Sequence, residues 1–143
     1  MKKIKIFLMA LVCLFTQSVM VMADDKPIPP QQLPAAAQQF VKTYFPQNKV
    51  VYAEKDWKSY EAMLDNGAKI EFDKKGNWDK VEYKMGAVPA ALIPANIATY
   101  VQTSFPNTAI IKIDKERYGY EIELANDIDL KFNQAGAIIG YDD

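Results

Sequence analysis

Two stretches, "LPAAAQQFVKTYFP" (33–46) and "IPANIATYVQTSFP" (93–106), are nearly one phrase written twice, sixty positions apart. The spacing continues without a gap. Val41 is answered by Val101, Phe45-Pro46 by Phe105-Pro106, Tyr60-Glu61 by Tyr120-Glu121, Leu64 by Leu124, Phe72 by Phe132 and Gly76 by Gly136. The register opens at Ile28-Pro29, matched by Val88-Pro89, so the repeats run from about 28 to 83 and from 88 to 143. A unit of this length exceeds most solenoid periods and occurs only twice. It predicts a duplicated supersecondary motif built on one core rather than an open array.

Each copy opens with a helix. Pro34 and Pro94 suit the first helical position, where a missing N–H costs nothing, and Pro46 and Pro106 turn the residue before them away from helical geometry. Between these prolines Ala37, Phe40, Val41 and Tyr44, answered by Ile97, Tyr100, Val101 and Ser104, follow the helical period. The rest of each copy alternates with period two, as a half-buried antiparallel sheet does. The expected core face carries Val51, Ala53, Tyr60, Ala62, Leu64, Ala68, Ile70 and Phe72, then Ile111, Ile113, Tyr120, Ile122, Leu124, Ile128, Leu130 and Phe132.

Parity also fixes the turns. For Leu64 and Ile70 to share a face, the hairpin needs a three-residue loop, Asp65-Asn66-Gly67, with the third residue left-handed; Asp127 holds that place in the second copy. The same reasoning on "FDKKGNW" gives a loop Lys74-Lys75-Gly76, with Trp78 opposite Phe72 and Ile138 opposite Phe132. Valine at Gly76 or Gly136 should then be costly to a similar degree, and at Gly86 less so. The expected fold class is α+β: two tandem units, each a helix plus a four-stranded antiparallel meander, in two layers with both helices on one face.

In its doubled "LP…FP" helix, "YEA/YEI" strands and "FDKKGNW" hairpin, the chain resembles the PepSY-like family of exported bacterial proteins described as β-lactamase-inhibitor-like. The resemblance covers essentially all of the chain after its leader. It implies the fold of the β-lactamase inhibitor protein and a Gram-negative periplasmic or secreted location, and it supplies no activity and no site residues. This chain lacks the inhibitor's disulfides, and none of the inhibitor's contact residues can be matched here.

Residues 1–23 read as a secretory signal peptide: Lys2, Lys3 and Lys5, an apolar stretch from Ile6, then the small-x-small pattern Val21-Met22-Ala23. Gln17 and Ser18 interrupt a stretch already short of the roughly 20 apolar residues that a spanning helix needs, so no membrane insertion is expected after cleavage. The single cysteine, Cys13, falls within this leader and is not preceded by the small residue a lipoprotein signal needs. The remaining domain, 24–143, has 14 basic residues against 18 acidic once the three leader lysines are removed. It has no basic block, so nucleic acid is not an expected partner.

The chain after the leader has no histidine or cysteine, two serines (Ser59 and Ser104) and one arginine, Arg117. The usual activators of a nucleophile are therefore missing. No enzyme and no cofactor is expected. Glu61 and Glu121 fall on the outward parity of a strand, where a solvated face explains them. "DNGAKIEFDKKGNWD" fails the EF-hand spacing, and no metal site is assigned. Glu123 is expected across from Asp129 on the open face, where a weak divalent-cation contact is the alternative to solvation.

On that open face the first and fourth strands of each copy are expected to show Val50, Tyr52, Ile110, Val81, Tyr83, Ile139 and Tyr141 around charged middle strands. Trp57 lies in a turn, with Arg117 and Tyr118 as its counterparts. The candidate binding residues are thus Tyr52, Trp57, Tyr83, Arg117, Tyr118, Ile139 and Tyr141. The expected function is a non-catalytic binding module that docks a protein or peptide on the open face, with inhibition as one form of it. A small-ligand or cation-binding role and a homo-oligomer are the alternatives.

Overall fold

The structure is a computed structural model and describes residues 25–143; the expected signal peptide lies outside the described residues. Nine strands form one antiparallel sheet in simple chain order. After β1 (Lys26–Ile28) and a short 3-10 turn come α1 (Ala35–Tyr44), β2 (Val50–Lys55), β3 (Ser59–Leu64), β4 (Lys69–Asp73) and β5 (Trp78–Glu82). A second 3-10 turn, at Ala90–Leu92, leads into α2 (Ala95–Ser104), β6 (Ile110–Glu116), β7 (Gly119–Leu124), β8 (Asp129–Asn133) and β9 (Ile138–Asp142). No helix of the described residues is long and apolar enough to cross a membrane.

The bracketing prolines act as expected, one position earlier at the start: Pro34 and Pro94 are the N-caps, and both helices stop at the phenylalanine before the second proline. Ala37, Phe40 and Val41 of α1 and Ile97 and Val101 of α2 are buried. The helices pack on Ala62, Leu64, Ile70 and Phe72 and on their repeats Ile122, Leu124, Leu130 and Phe132 in one core. The rings of Phe40 and Phe72 meet edge-on at 5.6 Å, and Tyr100 and Phe132 repeat the contact at 5.4 Å.

Both hairpins of each copy close as parity predicts. Leu64 N–H donates to Ala68 O and Asp73 N–H to Asn77 O, enclosing three-residue loops whose last residues, Gly67 and Gly76, have φ of +88° and +89°. In the second copy Asp127 and Gly136 hold those places at +68° and +80°. Trp78 lies opposite Phe72, and Ile138 opposite Phe132.

Two features depart from the reading. β1 was not foreseen; it pairs with β2, placing Ile28 opposite Ala53. This is the position that Val81 of β5 takes opposite Ile113 of β6, and the β5–β6 pairing is what joins the two copies into one sheet. The second departure is a set of four irregularities in register, at Val50/Tyr52 and Ile110/Lys112 and at Glu71/Phe72 and Lys131/Phe132. A bulge adds one residue to a strand and so reverses the parity of everything beyond it. Val51, expected in the core, is 56% exposed, while Val50 pairs with Leu64 and packs on the core. Val81 and Ile110, expected on the open face, are buried in the core.

Candidate functional site

The open face of the sheet, away from the helices, is a lattice of charge. One row crosses seven strands in register: Glu54, Glu61, Glu71, Lys80, Asp114, Glu121 and Lys131. Lys80 sits at the middle, 3.3 Å from Glu71 and 3.5 Å from Asp114. In the second repeat the row reads Asp114, Glu121, Lys131, whereas the first repeat reads Glu54, Glu61, Glu71. Three carboxylates on neighbouring strands therefore stand side by side in the first copy, an arrangement that costs repulsion.

The chain folds more acid toward this row. Asp25, just before β1, and Asp56, just after β2, line the same recess with Glu54, Ser59, Glu61 and Glu71. Asp56 is partly committed to its turn, accepting from Lys58 N–H at 2.6 Å, Ser59 N–H at 2.7 Å and the Ser59 hydroxyl at 3.0 Å. These bonds, the Lys58 N–H first, hold its carboxyl below the ordinary range. Glu54 accepts from the Tyr52 hydroxyl at 3.0 Å. Glu61 forms no ion pair among the described residues; burial, then the charges of Glu54, Glu71 and Asp25, push its pKa up, with Lys69 opposing. The recess thus holds excess negative charge on oxygen ligands only. Among the described residues, no three carboxylates already stand at metal-ligand positions.

A second row runs Tyr52, Met63, Lys69, Glu82, Lys112, Glu123, Asp129, Asp142. The expected opposition of Glu123 and Asp129 is present. Lys112 lies 3.2 Å from Glu123, and Lys131 lies 3.4 Å from Asp142.

The seven residues singled out from the sequence do not form one patch. Tyr52 is on the open face. Trp57, 73% exposed, caps the β2–β3 turn with Lys58 and Lys74 near its ring, at 5.7 and 6.0 Å. Arg117 and Tyr118 occupy the matching β6–β7 turn, four strands and roughly 19 Å away at sheet spacing. Burial first, then Glu121, pushes the Tyr118 phenol up to about 12, and its hydroxyl donates to Glu121 at 3.3 Å. Tyr83 and Tyr141 correct the face assignment. The β4–β5 bulge returns Tyr83 to the core, beside Gly86, and the β8–β9 bulge places Tyr141 opposite buried Leu130 on the helix side of the edge strand, with Ile139 at the bulge. The row Glu54–Glu61–Glu71 was not recognised in the sequence, although the hairpin parity that paired Glu123 with Asp129 also pairs Glu61 with Glu71.

A family model described as "Putative beta-lactamase-inhibitor-like, PepSY-like" matches residues 15–66 and again 58–140. The chain belongs to the PepSY-like family. The two matches together run through both repeats, and the α+β, β-lactamase-inhibitor-like fold expected from the sequence is the fold observed. Among solved structures, this PepSY-like chain is similar to a "putative calcium-regulated periplasmic protein" of Bacteroides thetaiotaomicron, at 45% identity over 84% of this chain and 98% of that one, with a TM-score of 0.79. It is similar at 44% identity to a "putative periplasmic protein from DUF2874 family" of Bacteroides vulgatus, over 85% and 99% of the two chains and with the same TM-score of 0.79. A third relative, a "putative periplasmic protein of unknown function" of Bacteroides vulgatus, is 32% identical over 83% of this chain and 99% of that one, with a TM-score of 0.79. No curated protein matches. Like these relatives, the PepSY-like chain is periplasmic.

Proposed function

We propose that this PepSY-like protein is a non-catalytic periplasmic binding module, and that the acid-rich end of its open sheet face takes a calcium ion. The observation that carries the reading is the in-register row Glu54, Glu61, Glu71 with Asp25 beside it, in which Lys80 compensates only the Glu71 end. Calcium accepts six to eight oxygens in irregular geometry, water included, while magnesium demands a near-ideal octahedron. Flexible glutamates on neighbouring strands suit the former, drawing in around the ion and leaving water in the remaining places. The description of the 45%-identical relative as calcium-regulated supports the choice of ion.

Thermal and denaturant melts with and without millimolar calcium test this. A ligand at about a hundred times its dissociation constant adds roughly 2.7 kcal/mol to stability. The gain should be smaller with magnesium and lost in Glu61→Gln. No gain with calcium, or an equal gain in Glu61→Gln, would overturn the assignment.

Protein docking, the leading expectation from the sequence, has lost Val50, Val81, Ile110, Tyr83 and Tyr141 from the open face and keeps Tyr52, with Trp57 at the rim. Trp57 favours it as a second reading, because an exposed indole flanked by two lysines is the residue type on which interface energy concentrates. A photo-crosslinking residue at position 57 should capture one periplasmic protein in cells, and the same residue at exposed Met85 should not. Equal capture at both positions would remove this reading.

A further inference from the structure

β9 is the sixty-residue counterpart of β5; both are five residues long and both bulge at the same point against the preceding strand. The outer edge of β5 is taken by β6, with Val81 opposite Ile113 and Glu82 opposite Lys112. Among the described residues the outer edge of β9 carries no strand, since β9 is last in the sheet. At the other end of the sheet, the matching edge of β2 is covered by β1, three residues with Pro27 at the centre. A short strand containing proline is a common way to close an edge. Among the described residues no such strand covers β9.

The β5–β6 junction shows what an edge of this build receives. Along its row Glu82 lies between Lys69 and Lys112. Its counterpart Asp142 has Asp129 on the inner side and no strand on the outer. One oxygen of Asp129 is shut from solvent without a hydrogen-bond partner, and Asp142 is met only from the inner side, by Lys131 at 3.4 Å, with no outer residue in the place that Lys112 takes beside Glu82. Val81 is fully buried with Ile113 opposite, while Tyr141 in the same position is 71% exposed and neighbouring Ile139 is 55% exposed. We infer that the outer edge of β9 docks an extended peptide strand of a partner protein, with an apolar side chain opposite Tyr141 and a lysine or arginine opposite Asp142. Main-chain hydrogen bonds would supply affinity and the two side-chain positions selectivity, as in other cases of strand addition. A second copy fits less well: two β9 edges paired antiparallel would set no basic residue opposite Asp142, since β9 has none, and a five-residue edge buries far less than the roughly 1,200 Å² of a stable interface.

The probe is a capped synthetic peptide with the sequence of residues 110–116, the strand that covers β5, together with its Lys112→Glu form. Amide chemical shifts of the full domain should change saturably at 138–143 with the first peptide. Asp142→Lys should weaken that binding roughly fivefold, the scale of one cross-strand charge pair, and the Lys112→Glu peptide should bind this variant better than the parent. Asp142 is exposed, and circular dichroism of the variant checks the fold. No shift at 138–143 with millimolar peptide, or binding indifferent to the charge swap, would overturn the inference. Broadening of the β9 amides that grows with protein concentration and without peptide would assign the edge to a second copy and overturn it too.

Discussion

At single residues the duplication has measurable consequences. Gly76 and Gly136 have left-handed backbones, φ +89° and +80°, which a β-branched side chain adopts only with strain. Valine at either should cost more than about 1 kcal/mol in denaturant melts. The structure removes the expectation of equal cost. A Cβ at Gly76 would meet Pro34 Cβ at 2.8 Å and the Ala37 backbone nitrogen at 3.0 Å, whereas at Gly136 it would meet the side chain of Asn96, which can swing aside. Gly76→Val should therefore be the worse of the two. Gly86 has an ordinary φ and its Cβ would press on the Tyr83 ring at 2.6 Å, so valine there should cost less than at Gly76. A larger loss at Gly86 than at Gly76 would refute the turn register. Glu61 gives a pH prediction. Burial and neighbouring carboxylates raise its pKa in the folded state, so the folded protein holds its proton to higher pH than the unfolded chain does, and stability falls as pH rises through that raised value. Asp129, Asp114 and Asp79 are raised too, each by burial first. Asp56 acts in the opposite sense and loses its contribution below the ordinary carboxylate range. The melting temperature should thus rise as pH falls through the raised Glu61 value before falling in stronger acid, and the rise should shrink in Glu61→Gln. A wild-type melting temperature that only falls on acidification from neutral pH would contradict this.

At the level of elements, helices and hairpins were legible because each carries local chemistry: prolines bracket the helices, and a left-handed residue ends each three-residue loop. The helix-to-sheet contacts repeat so closely that Phe72→Ala and Phe132→Ala should each cost about 3–5 kcal/mol, by lost transfer energy and a residual cavity. A near-neutral result at either would mean that its helix does not cover that part of the sheet. The bulges are less legible. Asp79, beside the Glu71/Phe72 irregularity, has no adjacent glycine or proline to mark an extra residue, and the one signal is Gly140, paired with Lys131 at the corresponding irregularity of the second copy; without it the parity of Val81, Tyr83 and Tyr141 is lost at that step. β1 was hidden for another reason: three residues of "DKPIPP" with one apolar side chain show no period, and only the pairing with β2 makes them a strand. Without β1, Asp25 could not be placed in the acidic recess. Removing residues through Ile28 should bare β2 and produce concentration-dependent assembly by light scattering; a truncated chain that stays monomeric would mean that β1 does not guard that edge.

Over the whole molecule, one continuous sheet carries two copies of one unit whose interiors match and whose open faces have diverged. The core positions Leu64, Ile70 and Phe72 recur as Leu124, Leu130 and Phe132, because packing against a helix constrains volume. The outward row is free of that constraint, and Glu71 in the first copy faces a counterpart of opposite charge, Lys131, in the second. The second copy thereby acts as an internal control for the proposed site, with similar backbone and without the run of three carboxylates. The direct measurement is a calcium titration followed by amide chemical shifts across the full domain. Saturable shifts are expected at Asp25, Glu54, Asp56, Glu61 and Glu71, with little change at Asp114, Glu121 and Lys131. Equal shifts on both copies, shifts confined to Glu123 and Asp129, or none at millimolar calcium would contradict it.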